Sequence, residues 1–458
     1  MQLESVASIA EASKGVAVAD ACGAAAARIE AVSTRALGLS DIGRLKEAIV
    51  ALDACAAEAT AGGHFFIAGQ ALVTAADLLI VDCRPREALD RARRLRALPV
   101  GGWSALRGAI REGEALSQLG EPGPALSAFE EALSLAQEGG TLVHQRWAER
   151  GVATVYQQLD RLDEALRLAR GGRPRYKQER HADGILAIRL LLDTGQVQRA
   201  RHEAVEVIAD ERQLATVSLL DADTVAEALL AAGDAGAARR VATLVRADPD
   251  HPSWLSLQGR LAVAAGDLEA ARDHLRSAVV RYADAGACRE LTRARWALAA
   301  VMVRLDDPAA AEAELRAALA SARQRGAVHD ERRSRELLTR HGVRLHPTSA
   351  QVRAALEALA AGIGLDGSPL LALERLAGAG PQRLGELIAT AVDGLAASPT
   401  YRKAEAGRVL RDYYLKGVGS HEVVAERLHL SRPTFYRRLH SGLELVAERL
   451  GLLDEVPY

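Results

Sequence analysis

One alanine recurs through most of this chain in a register that only a helical repeat can sustain. It stands at Ala48, Ala88, Ala125, Ala165, Ala200, Ala238, Ala271 and Ala311, at intervals of 40, 37, 40, 35, 38, 33 and 40 residues. Twelve residues before each lies Ala36, Ala76, Gly113, Ala153, Ile188, Ala226, Gly259 or Ala299, small in seven of the eight, which is where two helices must approach closely. Nine before it lies Leu39, Leu79, Leu116, Tyr156, Leu191, Leu229, Ala262 or Met302, mostly large enough to fill the adjoining groove. Five before the anchors stand turn residues such as Gly120, Asp160, Gly195, Gly233, Gly266 and Asp306, suited to a helix C-terminus. Each interval therefore predicts one two-helix hairpin, and the fold expected is all-α.

Composition agrees. The 458 residues exceed what one hydrophobic core usually serves, and aromatics are only 3% in a chain where 49% of residues are hydrophobic and 26% charged. That balance favours close-packed helices over sheets. Cys22, Cys55, Cys83 and Cys288 are scattered without CxxC spacing, so neither a zinc site nor a disulfide framework is expected, and a reduced cytoplasm fits. The one long uncharged run, Ala59–Ala76, holds Gly62, Gly63, His64, Gly69, Gln70 and Thr74 and is too polar to span a membrane. The start, Met-Gln-Leu-Glu, has no basic segment of the secretory kind.

The repeats resemble the tetratricopeptide superfamily, most clearly in Gly113–Ala132 (GEALSQLGEPGPALSAFEEA) and Gly259–Ala278 (GRLAVAAGDLEAARDHLRSA). The resemblance covers about residues 30–340 and implies a superhelical solenoid over residues 1–340. From Arg340 to Ser398 the register is lost and Pro347, Gly364, Pro369, Gly380 and Pro381 punctuate short helical stretches. Helices are expected over Gln351–Ala361, Leu370–Ala377 and Gln382–Ala397, making residues 341–400 a capping and connecting region.

Residues 401–458 carry a different pattern. Residues 400–450 hold ten Lys/Arg against six Asp/Glu, in a chain whose net charge is −2. Ser420 is placed to cap a helix His421–Leu428 with Val424 and Leu428 inward and Ala425 small at the crossing. After a turn at His429–Leu430, Ser431 is positioned as the next N-cap and Pro433 falls in a first helical turn, where its missing N–H costs nothing. Phe435 and Leu439 then share one face, leaving Arg432, Pro433, Tyr436 and Arg437 outward. Helices over about Lys403–Leu415 and Leu443–Leu450 complete a four-helix unit.

The strings VLRDYYLKG and EVVAERLHLSRPTFYRRL resemble bacterial helix-turn-helix regulators of the LuxR type and the promoter-reading fourth region of sigma factors. The segment is also similar to the C-terminal domain of bacterial signalling proteins that join tetratricopeptide repeats to such a module. His429 departs from the pattern, standing where glycine is frequent. The resemblance implies that Arg432–His440 enters the major groove of double-stranded DNA, with Arg432 and Arg437 at guanine edges and Pro433 and Tyr436 beside them. Ser431, Thr434, Arg438 and Lys416 are then placed for phosphate oxygens.

No phosphate loop, dinucleotide fingerprint, HExxH or GxSxG sequence occurs, and an enzyme, a cofactor and a metal site are not expected. Arg173, Arg175 and Lys177 offer a weak anion clamp, and His64, Phe65 and Phe66 an aromatic stretch that either packs in a core or lines an effector groove. His329-Asp330-Glu331 reads as a solvated helix face. Together these features predict a cytoplasmic DNA-binding transcriptional regulator, homodimeric, whose solenoid receives a protein, peptide or small-molecule effector. The alternative is a non-catalytic adaptor whose terminal module binds protein.

Overall fold

The computed structural model describes residues 2–171, 177–209, 218–245, 248–341, 347–366, 368–372 and 380–452, and among these every regular element is helical. The chain divides into two compact units, Met1–Leu337 and Leu338–Tyr458.

The first unit opens with α1 (Gln2–Ala21). Eight hairpins follow: α2 (Ala25–Asp41) with α3 (Leu45–Ala61), α4 (Phe65–Val81) with α5 (Pro85–Arg96), α6 (Gly102–Leu119) with α7 (Pro122–Glu138), and α8 (Leu142–Gln158) with α9 (Leu162–Gly171). The series continues as α10 (Lys177–Asp193) with α11 (Val197–Ile208), α12 (Leu219–Ala231) with α13 (Ala235–Leu244), α14 (Pro252–Ala265) with α15 (Leu268–Ala285), and α16 (Cys288–Arg304) with α17 (Pro308–Arg325). Each helix packs on the next, which makes the unit a tetratricopeptide-like superhelical solenoid. Helix α18 (Val328–Arg340) follows.

The alanine register explains the packing. All eight anchor alanines are at most 1% exposed, and they sit in the second helix of each hairpin. Where the first helix carries glycine, the second fills the space. A Cβ on Gly113 would lie 2.8 Å from the Phe129 ring, and one on Gly259 would lie 2.6 Å from Leu275 Cγ. The turn position has one conformation throughout: Gly43, Cys83, Gly120, Asp160, Gly195, Gly233, Gly266 and Asp306 all have φ between 57° and 83°. The residue after each donates its N–H to the carbonyl of the groove-filling residue: Arg44 to Leu39, Arg84 to Leu79, Glu121 to Leu116, Arg161 to Tyr156, Gln196 to Leu191, Asp234 to Leu229, Asp267 to Ala262 and Asp307 to Met302. This is the 6→1 bond of a left-handed helix cap, repeated eight times in one register.

The superhelix then returns on itself. His251 Nε2 lies 3.2 Å from the Val81 carbonyl, Arg289 Nη2 donates to Gln157 Oε1 at 2.9 Å, and α6 packs on α16. Arg332 donates from Nε and Nη2 to the two carboxylate oxygens of Asp160, at 2.6 and 2.9 Å, and His329 Nδ1 lies 2.9 Å from Asp160 Oδ1. These contacts join hairpins four or five repeats apart. They also correct the reading of residues 329–331 as a solvated face: His329 is 3% exposed because its partner, Asp160, comes from a turn 169 residues earlier, and Asp330 is 7% exposed among His329, Arg325, Arg293 and Arg289. Burial works against the His329 imidazolium, yet the hydrogen bond to Asp160 and the Asp193 carboxylate 3.6 Å from Nε2 outweigh it and hold its pKa up at about 9.

In the second unit α19 (Ser349–Ala360) starts with a capping box, Thr348 Oγ1 accepting from the Gln351 N–H while Gln351 Oε1 accepts from the Thr348 N–H. A 3₁₀ turn (Pro369–Ala372), α20 (Gly380–Ala396) and α21 (Tyr401–Leu410) follow. The backbone then widens into a π-turn over Arg411–Leu415 before α22 (His421–Arg427) and α23 (Arg432–Leu452). The expected helix over Leu370–Ala377 runs into residues 373–379, outside the described ones. Residues 341–400 and 401–458 share one core: Val352 and Leu356 of α19 and Leu384 and Ile388 of α20 join Val409, Val424, Phe435, Leu443 and Leu450. The two helices expected over 432–440 and 443–450 are one. Gly442 does not break it, because a Cβ there would lie 2.9 Å from Leu410 Cδ1 and 3.1 Å from the Ala406 carbonyl, so the glycine serves a close crossing with α21.

Candidate functional site

The surface around α23 is built from the turn outward. His429 has φ 53°, the left-handed conformation that glycine usually supplies, and the Leu430 N–H closes on the Ala425 carbonyl at 2.8 Å. That cap stops α22 and sets α23 going after one extended step. Ser431 takes the N-cap place, its carbonyl accepting from the Phe435 N–H at 2.9 Å and its hydroxyl 2.9 Å from Thr434 Oγ1. Ser420 precedes α22, but makes no side-chain cap hydrogen bond. Val424 and Ala425 of α22 and Phe435 and Leu439 of α23 are buried, which orients the opposite face of α23 outward. Arg432, Pro433, Tyr436 and Arg437 lie on that face and are exposed, and Arg437 Nη2 donates to Thr434 Oγ1 at 3.3 Å. Tyr436 stands 5.5 Å from the His421 ring.

Two of the residues assigned to phosphate contact are differently placed. The Arg438 guanidinium turns inward to a carboxylate oxygen of Glu405 on α21, with the arginine side chain 17% and the glutamate 9% exposed. Burial would raise the Glu405 carboxyl, but hydrogen bonds from Arg438 and Tyr401 prevail and hold it below its ordinary value. Arg438 thus ties α23 to α21 rather than facing outward. Lys416 is half-exposed, with Nζ 3.8 Å from Asp412 Oδ1. Asp412, itself buried, also draws Arg411 Nε to 3.7 Å and Arg427 Nε to 3.8 Å. One carboxylate therefore gathers three cations beside α23. Sequence reasoning missed Arg427, 58% exposed at the end of α22; its only signal was its place next to the turn.

The first unit encloses a second candidate. A cavity of about 220 Å³ lies inside the superhelix, walled by the first helices of several hairpins. Gln118 of α6, Trp147 of α8, Arg189 of α10 and Arg289 and Glu290 of α16 face it. Burial first, then the neighbouring Arg189, bring the Arg289 guanidinium down to about 10. The aromatic stretch read from sequence lies elsewhere: His64, Phe65 and Phe66 begin α4, whereas the cavity meets that helix at Ile80 and Val81. Phe66 is 53% exposed and its ring centroid lies 5.1 Å from that of Trp103. Arg173 and Arg175 lie outside the described residues, as does the side chain of Lys177. Among the described residues no group of three His, Cys, Asp or Glu forms a metal site, and no helix is long and apolar enough to cross a membrane.

No protein-family model matches the chain, and no curated protein matches it. Among solved structures it is similar to a tetratricopeptide repeat protein from Parabacteroides merdae, at 16% identity and TM-score 0.33, over 55% of this chain and 91% of that one. It is also similar to the human IFIT1 dimer with PPP-AAAA and with m7Gppp-AAAA, each at 13% identity and TM-score 0.35. These cover 92% and 91% of this chain and 90% of that one in both cases.

Proposed function

We propose that this repeat scaffold is a cytoplasmic DNA-binding transcriptional regulator whose second unit reads a duplex through the first half of α23. The observation that carries the reading is the outward row of Arg432, Pro433, Tyr436 and Arg437 on the opening turns of a helix whose other face is locked into a core by Phe435 and Leu439. A helix so presented offers forked donors at its N-terminal end, where a recognition helix meets base edges. The three cations around Asp412 supply the sequence-independent attraction to phosphate. The solenoid receives the effector, and a homodimer would supply two such helices for a paired site.

Selection of the purified chain against random duplex DNA tests the reading. Arg437→Ala should cost about 1–3 kcal/mol on the selected site and relax preference at one base pair, whereas Lys416→Ala should weaken every sequence alike and lower the salt slope by about one ion. Equal, salt-insensitive affinity for the parent and both variants would sink it. The exposed Val423 and Tyr436, 47% and 44% accessible on adjoining helices, favour a second reading in which this face docks a protein. In that case the selection enriches no sequence.

A further inference from the structure

The cavity inside the first unit has polar groups that the protein itself leaves incompletely matched. Arg289 is 8% exposed, and the one hydrogen bond its guanidinium makes among the described residues is to the neutral amide oxygen of Gln157. On the same wall Glu290 is 6% exposed and its Oε2 accepts from no described group. Across from them Gln118 is 5% exposed; its Nε2 donates to the Ile80 carbonyl at 2.9 Å, which fixes the amide so that Oε1 is the atom left without a donor. Buried groups in this condition are costly, so a cavity that gathers a cation and two acceptors points to a ligand with complementary groups.

We propose that this cavity binds a small zwitterion, a free α-amino acid, with its carboxylate on Arg289 and its ammonium on Glu290 Oε2 and Gln118 Oε1. The pattern of unmatched groups selects this class. A simple anion would answer Arg289 and repel Glu290, a simple amine would do the reverse, and a polyol would satisfy Gln118 without neutralising either charge. Arg189 reinforces the carboxylate end: its Nε is committed to Thr224 Oγ1 at 3.1 Å, while Nη2 lies a loose 3.7 Å from Asp221 Oδ1. The lowered Arg289 pKa reflects burial and the neighbouring Arg189, which together outweigh the pull of Glu290 and Asp330, a setting that an entering carboxylate relieves. Size agrees, since about 220 Å³ is below the usual range for drug-sized ligands and too little for a folded peptide segment. Trp147 gives the side chain of the amino acid a flat wall. Because Gln118 belongs to α6 and Glu290 to α16, helices that meet only through the superhelical return, the ligand bridges successive turns of the solenoid.

As the effector site of a regulator the cavity rests on the reading above; as a binding site it stands by itself, and a measurement without DNA separates the two. The full chain is titrated calorimetrically with each of the twenty protein amino acids, and with the carboxamide and the des-amino acid of any that bind. At least one amino acid should bind with a micromolar Kd, and both of its analogues at least tenfold more weakly. Arg289→Gln should abolish the preference for acid over carboxamide, and Glu290→Gln the preference for amino acid over des-amino acid, while Arg437→Ala changes neither. Absence of binding at millimolar concentration, or equal affinity for the amino acid and its analogues, overturns the proposal. Those two outcomes are read on the unaltered chain, so a variant that fails to fold leaves the decision intact.

Discussion

The two units bury different chemistry. The core of residues 338–458 is apolar, and among its described residues only Glu405 and Asp412 are buried charges. The solenoid buries Arg111, Arg146, Asp223, Arg289, Glu290, His329 and Asp330. The difference comes from how each core closes. In the second unit five helices of one short segment converge on a single centre, so each need bury only its apolar stripe. In the solenoid the apolar stripes are used up between neighbouring hairpins, and the superhelical return then covers the first-helix faces that were polar to begin with. A repeat array that coils tightly thus pairs its buried charges between neighbouring hairpins, as Arg111 with Asp77, Arg146 with Asp183 and Asp223 with Arg260, and also across turns, as His329 with Asp160, and it gains polar cavities as a by-product.

The largest expected effect tests the apolar side of this contrast. Phe435 is fully buried in the second unit, and Phe435→Ala should cost about 3–5 kcal/mol there. Hydrogen exchange on the full chain should show the loss in residues 338–452 and leave the solenoid's protection unchanged; an equal loss in both would mean that the units do not keep separate cores.

A smaller effect tests the charged side. The pKa of His329 is raised in the folded chain from 6.5 to about 9, so its contribution to stability is complete below pH 6.5 and disappears as pH rises through about 9. Over that interval the parent should lose on the order of 3 kcal/mol more than His329→Gln does. Calorimetric unfolding of both across the range checks it, and parallel pH profiles would show that the clasp between turns is not charged. Asp160 titrates in the opposite sense. Burial opposes ionisation, but His329 and Arg332 hold its pKa below 3.8, so its share is lost only as pH falls into acid.

The smallest effect sharpens the picture of the turns. Asp306 is exposed with φ 59°, so Asp306→Gly should stabilise by less than about 1 kcal/mol, relief of the left-handed conformation slightly exceeding the added freedom of the unfolded chain. Cys83 has the same conformation but is fully buried against Ser253, so Cys83→Gly should destabilise. Thermal melts of the two variants that moved in the same direction would show that backbone strain or packing alone governs this position.

Much of the local architecture was legible before any coordinate. The eight anchor alanines, the small residues before them and the left-handed turns follow from short-range spacing, because helix caps and hairpin crossings are made by residues within about a dozen positions of one another. Cys83 escaped notice as a turn because cysteine has no turn preference, although the register points straight to it. The gap expected between helices 432–440 and 443–450 has a related cause: Gly442, needed for a close crossing with Leu410, has the same sequence signature as a glycine that ends a helix. On the candidate DNA-facing helix, the inward placing of Phe435 and Leu439 was read from i, i+4 spacing, but the turning of Arg438 toward Glu405 was not, since that partner lies 33 residues back.

What the sequence determined by itself, then, is the repeat: the period, the hairpin crossings and the caps, all set by interactions that close within one or two helices. Only the tertiary structure decided which polar faces go inside. His329 finds Asp160 and Arg289 finds Gln157 across 169 and 132 residues, through the summed small rotations of the hairpins between them. No local pattern records that sum, and so the charged interior, with the cavity it encloses, appears only when the chain has coiled back upon itself.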